Sequence, residues 1–332
     1  MEHYHIYHHE VPSFLEAFAQ VPAVQRLKQI GMNCGCEYTS FPLFEHLPPY
    51  SRYDHSMGVA LIVWHFTRSC TQAVSGLLHD IATPVFAHVV DFMNGDYLKQ
   101  ESTEAGTEEI ILGTPEFQIL LEGLGIDPPD VCDYHRYPVA DNDPPRLSAD
   151  RLEYSLGNML NYGFCTSDTV RAFYRDLIIG RNETGQEEIM FKTPQSAEAF
   201  ALLALQCSRV YISDEDRYSM QILSEIMKSA LERGILESGD LYTSEPEVIE
   251  KLQEDGISAA QWKEYCAMNQ MLRSDSGSST GRWRQIVAKK RFIDPMVVEK
   301  GRISRLSAAF SSALNTFLHT QYNDWLCGTT EK

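Results

Sequence analysis

The sequence is short of positive charge: 28 lysines and arginines face 46 aspartates and glutamates, a formal net charge of −18 at pH 7. A protein that grips duplex DNA or RNA needs a basic surface to displace phosphate counterions, so this balance argues against that role. It leaves room for a small phosphate ligand, which a few local cations and a metal can hold. Long apolar runs are also missing. A membrane span takes about 20 apolar residues, and here the run from Val59 to Trp64 is broken by His65. The N-terminus has no basic stretch leading into an apolar one, so it does not read as a secretory signal. The early histidines His3, His5, His8 and His9 are interrupted by Tyr4, Ile6 and Tyr7, and read as native sequence with little weight as a metal site. Eight cysteines are scattered, and the pair Cys34 and Cys36 is too close for a zinc knuckle or a thioredoxin-type motif. Reduced, mostly buried thiols in a cytoplasmic protein are the expectation. Internal repeats are absent, and the four tryptophans are too dispersed to make a base-stacking platform.

What is present is helical periodicity. Residues 14–30 carry apolar positions at three- and four-residue steps, interrupted at Pro22. A loop follows from 31 to about 51. Residues 56–67 and 71–81 read as buried helices, the second ended or bent at Thr83-Pro84. Further helices are expected over 86–93, 101–112, 115–124 and 148–160, the last capped by Ser148. Residues 127–145, rich in proline and aspartate, read as a long loop, a lid or a connection. The pattern continues over 193–213, 214–234, 245–255 and 259–272, then through a Ser/Gly-rich stretch at 274–281. Residues 282–305 concentrate Arg282, Arg284, Lys289, Lys290, Arg291, Lys300, Arg302 and Arg305. Short strands are expected there around Ile286-Val287 and over residues 295–298. A solvated or interface face is the plain reading of that basic stretch, and a phosphate or allosteric nucleotide site the sharper one. A terminal helix is expected over 306–326. Strand signals are few, so the fold class is mainly α.

Four residues stand out for chemistry: His55, the adjacent His79 and Asp80, and Asp150. Each lies in or at the end of a helical segment with apolar neighbours. Imidazole nitrogen with carboxylate oxygen suits Mn, Fe, Co, Ni or Zn better than Ca. Four such ligands leave positions on an octahedral ion for water and a phosphate oxygen. A His-Asp dipeptide alone is common, however, and a core histidine bonded to a nearby carboxylate is the competing reading.

The surrounding words decide between them. The stretch Ser51-Arg52-Tyr53-Asp54-His55-Ser56-Met57-Gly58-Val59 resembles the R-[FY]-x-H-S-x-G-V signature of the HD-domain metal-dependent phosphohydrolases. Residues 76–91, GLLHDIATPVFAHVVD, are similar to the same superfamily's L-x-H-D-[IL]-G-H-x-P-F-S-H-x-x-D, and residues 148–154 to its D-[KR]-x-D-Y segment. Residues 24–31 resemble a helix of the branch containing the dNTP triphosphohydrolases. The resemblance covers roughly residues 15 to 235. It implies a helical bundle over residues 1–180, with a C-terminal helical region over 181–332 continuing the fold. It also implies one divalent metal (Mn, Fe, Co, Ni, Zn or Mg) on His55, His79, Asp80 and Asp150, with Arg52, Arg151 and Tyr154 contacting substrate. The same resemblance implies that His88 lies near the phosphates with Asp91 orienting a catalytic histidine, and that the protein is a homo-oligomer.

The sequence departs from that branch at the proton-transfer groups. The general-acid histidine four residues after the metal histidine is Thr83 here, and the histidine of an H-E-x-G-[ST] segment is Thr103. The glutamate that single-metal nucleoside monophosphatases place three residues after the metal histidine is Ala82. A threonine does not titrate near neutral pH and cannot replace a histidine as proton donor. His88 is the first substitute, with Glu104, Glu101 and His135 behind it. The reading is therefore metal-dependent hydrolysis of a phosphate ester or anhydride, nucleotide in type. The alternative is a nucleotide-binding sensor that keeps the metal cage but has weakened catalysis, and a cyclic-nucleotide or dinucleotide phosphodiesterase ranks last.

Overall fold

The computed structural model describes residues 4–95 and 106–330. Helices dominate, as the sequence predicts, and the centre is the helix Arg52–Thr67. Nearly its whole circumference is buried, from Arg52 through Val63. A helix apolar all round belongs inside a core rather than on a surface. Ser51 starts it with a capping box: its hydroxyl accepts from the Asp54 amide while the Asp54 carboxylate accepts from the Ser51 amide. Arg68, in the left-handed conformation at φ 55°, ends it and turns the chain back into Cys70–Leu78. That helix and Ala149–Asn161 both pack against the central one.

Two hydrophobic clusters share the interior. The first joins the three central helices to the N-terminal turn, to Pro194–Val210 and to Phe310, Leu314 and Phe317 near the C-terminus. The second gathers Phe41, Phe44 and Phe86 with Leu223, Ile226, Leu252, Trp262 and Tyr265. Both clusters draw on residues from either side of position 180.

The helical expectations hold with shifted ends. The 14–30 stripe is split at Pro22, as expected, into Ser13–Ala19 and Pro22–Arg26. The helix expected over 86–93 begins only at Val89, because Phe86 and Ala87 take positive φ, 58° and 46°. The helix expected over 101–112 is seen as Thr107–Gly113. Its earlier residues, with Glu101, Thr103 and Glu104, lie outside the described residues.

Strands are more numerous than the sequence predicts. Leu177–Arg181 and Glu187–Phe191 form an antiparallel hairpin, and the second strand pairs in parallel with Met296–Val297. The signal was local: apolar runs around Ile178 and Ile189, separated by Asn182 and Gly185. Asn182 shapes the turn by accepting from the Thr184 and Gln186 amides. The expected strand over 295–298 is thus found at Met296–Val297, whereas the one expected at 286–287 lies two residues earlier, at Arg284–Gln285. The helix expected over 259–272 stops at Ala267, and Gln270–Ser274 pairs instead with Trp325–Thr329. That pairing also cuts short the helix expected over 306–326, which is seen as Ile303–Leu306 and Ala308–His319 with Ser307 capping the second part. Among the described residues no helix is long and apolar enough to cross a membrane.

Candidate metal centre

Three segments meet at the cage. His55 projects from the first turn of the central helix. His79 is the C-cap of Cys70–Leu78, with Asp80 just beyond, and Asp150 opens Ala149–Asn161. The two imidazole Nε2 atoms lie 3.2 Å apart. Asp150 Oδ1 is 3.0 Å from His55 Nε2 and 3.8 Å from His79 Nε2. On the other side Asp80 Oδ2 is 4.0 and 3.8 Å from the same two atoms. His55, His79 and Asp80 each offer a ligand atom within 4.8 Å of the others. Atoms held about 2.1 Å from one ion are roughly 3.0 Å apart when adjacent and roughly 4.2 Å when opposite. The observed spacings match that range.

Tautomers make the fit stronger. His79 Nδ1 donates to the Gly76 carbonyl at 2.7 Å, and His55 Nδ1 lies 2.7 Å from Glu153 Oε2. Both rings therefore carry hydrogen on Nδ1 and turn an Nε2 lone pair toward the same point, an arrangement that repels unless a cation sits between them. Without an ion a proton takes that part. Burial opposes a charge on His55, but the hydrogen bonds to Asp150 and Glu153 outweigh it and raise its pKa to about 10. Burial likewise pushes Asp150 up, yet the His55 hydrogen bond brings it down to about 2.

Glu153 anchors the His55 side. Its carboxylate also accepts from Tyr50 Oη at 2.5 Å and Tyr7 Oη at 3.2 Å. Burial, with the Glu153 charge beside them, keeps both phenols protonated. Two glycines make the room. A Cβ on Gly58 would stand 2.6 Å from Glu153 Oε1, and one on Gly157 would stand 2.3 Å from Tyr50 Oη. Tyr4 extends the same support by donating to Asp54 Oδ1 at 3.0 Å.

On the opposite side Asp80 is held twice. Arg52 Nη1 lies 3.0 Å from Asp80 Oδ2, and Thr83 Oγ1 donates to Asp80 Oδ1 at 2.9 Å. Burial would raise the Asp80 pKa, but the Arg52 charge beside it holds the carboxyl far below its usual range. Thr83, fully buried, is thus a strut for Asp80 rather than a group facing substrate. Arg26 grips the same bend, donating to the carbonyls of Ile81 and Thr83 at 2.9 and 2.8 Å.

A cavity of about 450 Å³ opens from the cage. Arg52, Arg151, Tyr154 and His88 all line it. Arg52 Nε is buried there without a hydrogen-bond partner among the described residues. His88 Nδ1 is 2.9 Å from Asp91 Oδ2, and burial lowers the imidazole pKa to about 4. It is therefore neutral at pH 7, with hydrogen on Nδ1. Arg151 is more engaged than the sequence suggests: Nε donates to the Arg146 carbonyl at 2.7 Å, Nη1 is 3.0 Å from Asp141 Oδ1, and Nη2 is bonded to Asn142. It braces the long loop against the cage helix. That loop brings Tyr134 against His79, ring centroids 4.9 Å apart, and places His135 on the cavity wall.

Residues 287–291 were not expected to reach this cavity, yet Val287, Lys289 and Arg291 line it. The strap is held by Arg217, which bonds to the Ile286 carbonyl, and by the Asp294 amide donating to the Pro145 carbonyl at 2.8 Å. The only local signal was the concentration of basic residues.

This architecture, a helical bundle with a His-His-Asp-Asp cluster at one end of a cavity, is what the sequence resemblance to the HD phosphohydrolases implies, and comparisons with known proteins are in keeping with it. A phosphohydrolase of Bacteroides thetaiotaomicron shares the fold at a TM-score of 0.61, covering 97% of both chains with 12% identity. Uncharacterized protein YdhJ of Bacillus subtilis is 25% identical over 247 residues, 74% of this chain and 72% of its own. The metal-dependent phosphohydrolase cns2 of Cordyceps militaris is 26% identical over 148 residues, 43% of this chain and 40% of its own. No family model matches.

Proposed function

We propose that the protein hydrolyses the phosphate group of a small molecule, a nucleotide in type, with one divalent metal held by His55, His79, Asp80 and Asp150. The observation that carries this reading is the pair of Nε2 lone pairs 3.2 Å apart between two carboxylates, at the mouth of a cavity lined by arginine. Kinship with a metal-dependent phosphohydrolase supports it. An ion in that set supplies Lewis acidity toward phosphorus and a water of lowered pKa. The chain's own residues do the rest. Arg52 keeps Asp80 ionised and offers its Nε, without a partner among the described residues, to a phosphate oxygen. Lys289 and Arg291 bring further positive charge from the strap. Asp91 holds the His88 ring so that Nε2 is the basic nitrogen. At neutral pH His88 accepts a proton or a hydrogen bond and does not act as an acid.

In this reading Tyr154 flanks the body of the substrate, and Glu104 belongs to the proton-transfer set. The setting is cytoplasmic, which suits eight unpaired cysteines, and the protein is a homo-oligomer. Light scattering checks the last point.

The test is phosphate release from nucleotides and simple phosphate esters by metal-stripped protein resupplied with Mn, Fe, Co, Ni, Zn or Mg. Release should need metal and vanish in Asp80→Ala. Nucleotide binding without release under every metal would replace hydrolysis with the sensor reading, which the engagement of Thr83 with Asp80 motivates.

A further inference from the structure

The strap over the cavity runs on from the strand Arg284–Gln285. Val287, Lys289 and Arg291 line the cavity, with the small Ala288 between them, and Lys290 does not. Successive side chains of an extended chain point to opposite sides. Lys290 accordingly reaches away from the cavity, where its Nζ donates to the carbonyls of Leu318 and Thr320, each at 2.6 Å. The same ammonium stands 5.4 Å from the centre of the Tyr322 ring. The guanidinium carbon of Arg217 stands 4.7 Å from that centre. Both distances lie within the roughly 6 Å over which an aromatic ring attracts a cation. Arg217 in turn bonds to the Ile286 carbonyl, at the head of the strap, and to Asp214. Gln285 Nε2 adds a hydrogen bond to the Asn323 carbonyl at 2.6 Å.

Tyr322 thus stands where a cation of the strap meets a cation of the helix Asp214–Glu232. The segment that carries it follows the helix Ala308–His319, whose Phe310, Leu314 and Phe317 are buried in the larger core. The strap is therefore referred to the core through this clamp. What the clamp decides is phase. A slip of the strap by one residue would turn Lys290 inward and Lys289 and Arg291 outward, because side chains alternate. We propose that Tyr322 is a positioning residue: its ring, between Arg217 and Lys290, fixes the phase of the strap so that Lys289 and Arg291 face the anionic group bound in the cavity. The ring carries this role, not the phenol hydroxyl. The inference rests on the phosphohydrolase reading for the nature of that group, a phosphate.

The experiment follows hydrolysis of p-nitrophenyl phosphate, and binding of inorganic phosphate by calorimetry, in the full chain loaded with metal. It compares the wild type with Tyr322→Leu, Tyr322→Phe and Lys290→Met, each also in a background carrying Lys289→Ala and Arg291→Ala. Tyr322→Leu should raise KM and the phosphate Kd about 5–10-fold, with kcat within about twofold and metal affinity unchanged. Lys290→Met should act in the same direction, and Tyr322→Phe should behave as wild type. In the background without the two strap cations, Tyr322→Leu should change neither constant further, since it acts through them. Should Tyr322→Leu fail to fold, Lys290→Met in the two backgrounds reads the same dependence. Equal losses in both backgrounds, a loss in Tyr322→Phe as large as in Tyr322→Leu, or no effect of Tyr322→Leu and Lys290→Met would overturn the proposal. No release of phosphate from the ester, with phosphate binding weakened by Tyr322→Leu and kept by Tyr322→Phe, would sink the phosphohydrolase reading and leave the positioning role standing. Absence of both release and binding would sink the two together.

Discussion

The two ends of the cavity are built differently. At the cage three of the four candidate ligands are fixed from behind: His79 by the Gly76 carbonyl, His55 by Glu153, Asp80 by Arg52 and Thr83. Its residues sit on capped helices packed in the larger core. The strap facing it is extended chain, tied by Arg217 to the Ile286 carbonyl and by Lys290 Nζ to the carbonyls of Leu318 and Thr320, both at 2.6 Å. Geometry is enforced where atoms must converge within a few tenths of an ångström. Where charge alone is needed, a tethered segment is enough.

That contrast can be broken by experiment. Glu153→Gln keeps the size of the side chain but weakens its hold on the His55 Nδ1 hydrogen. Metal affinity, followed by titration, should fall about 10–100-fold. Thr83→Val, which frees Asp80 Oδ1 on the opposite side, should act in the same direction but stay at about the lower end of that range, ~10-fold. If neither moved metal affinity, the cage would not depend on its supports. Arg291→Ala should leave metal affinity as it is and raise KM about tenfold with kcat little changed. A loss of bound metal in that variant would mean that the strap shapes the cage as well.

The smallest effect concerns the junction between the early loop and the later helices. Glu37 lies against Glu245, and burial together with that neighbouring charge pushes its pKa from 4.5 up to about 8. The folded chain holds a proton there that the unfolded chain releases. Stability should therefore decline as pH rises from 4.5 toward about 8, then level off. Glu37→Gln should flatten that decline in chemical denaturation at a series of pH values. An unchanged slope would place the proton elsewhere.

The cage was readable because its residues lie in local words of helix: Arg52 and His55 in one turn, His79 beside Asp80, His88 three positions from Asp91. The helical stripes were readable for the same reason, since their period repeats within a few residues. The strands Gln270–Ser274 and Trp325–Thr329 were not, because each is stabilised by a partner some fifty positions away and carries no repeating pattern of its own. Glu153 stood inside a recognised segment, but its part depends on Tyr7 and Tyr50, which no spacing links to it. The Arg151 ties to Asn142 and Asp141 likewise belong to a loop whose path the sequence leaves open.

The phenol of Tyr7 has a consequence for the order in which the chain is made. Its acceptor, Glu153, is synthesised 146 positions later. The first turn leaves the ribosome long before the group it must meet, and the support of His55 closes only after the third cage segment has emerged. Loss of the turn that carries Tyr7 would therefore act on the last closing step of the candidate cage. The sign would be protein that folds and stays soluble yet takes up its ion slowly, with the lag shortened by anything that docks the first turn.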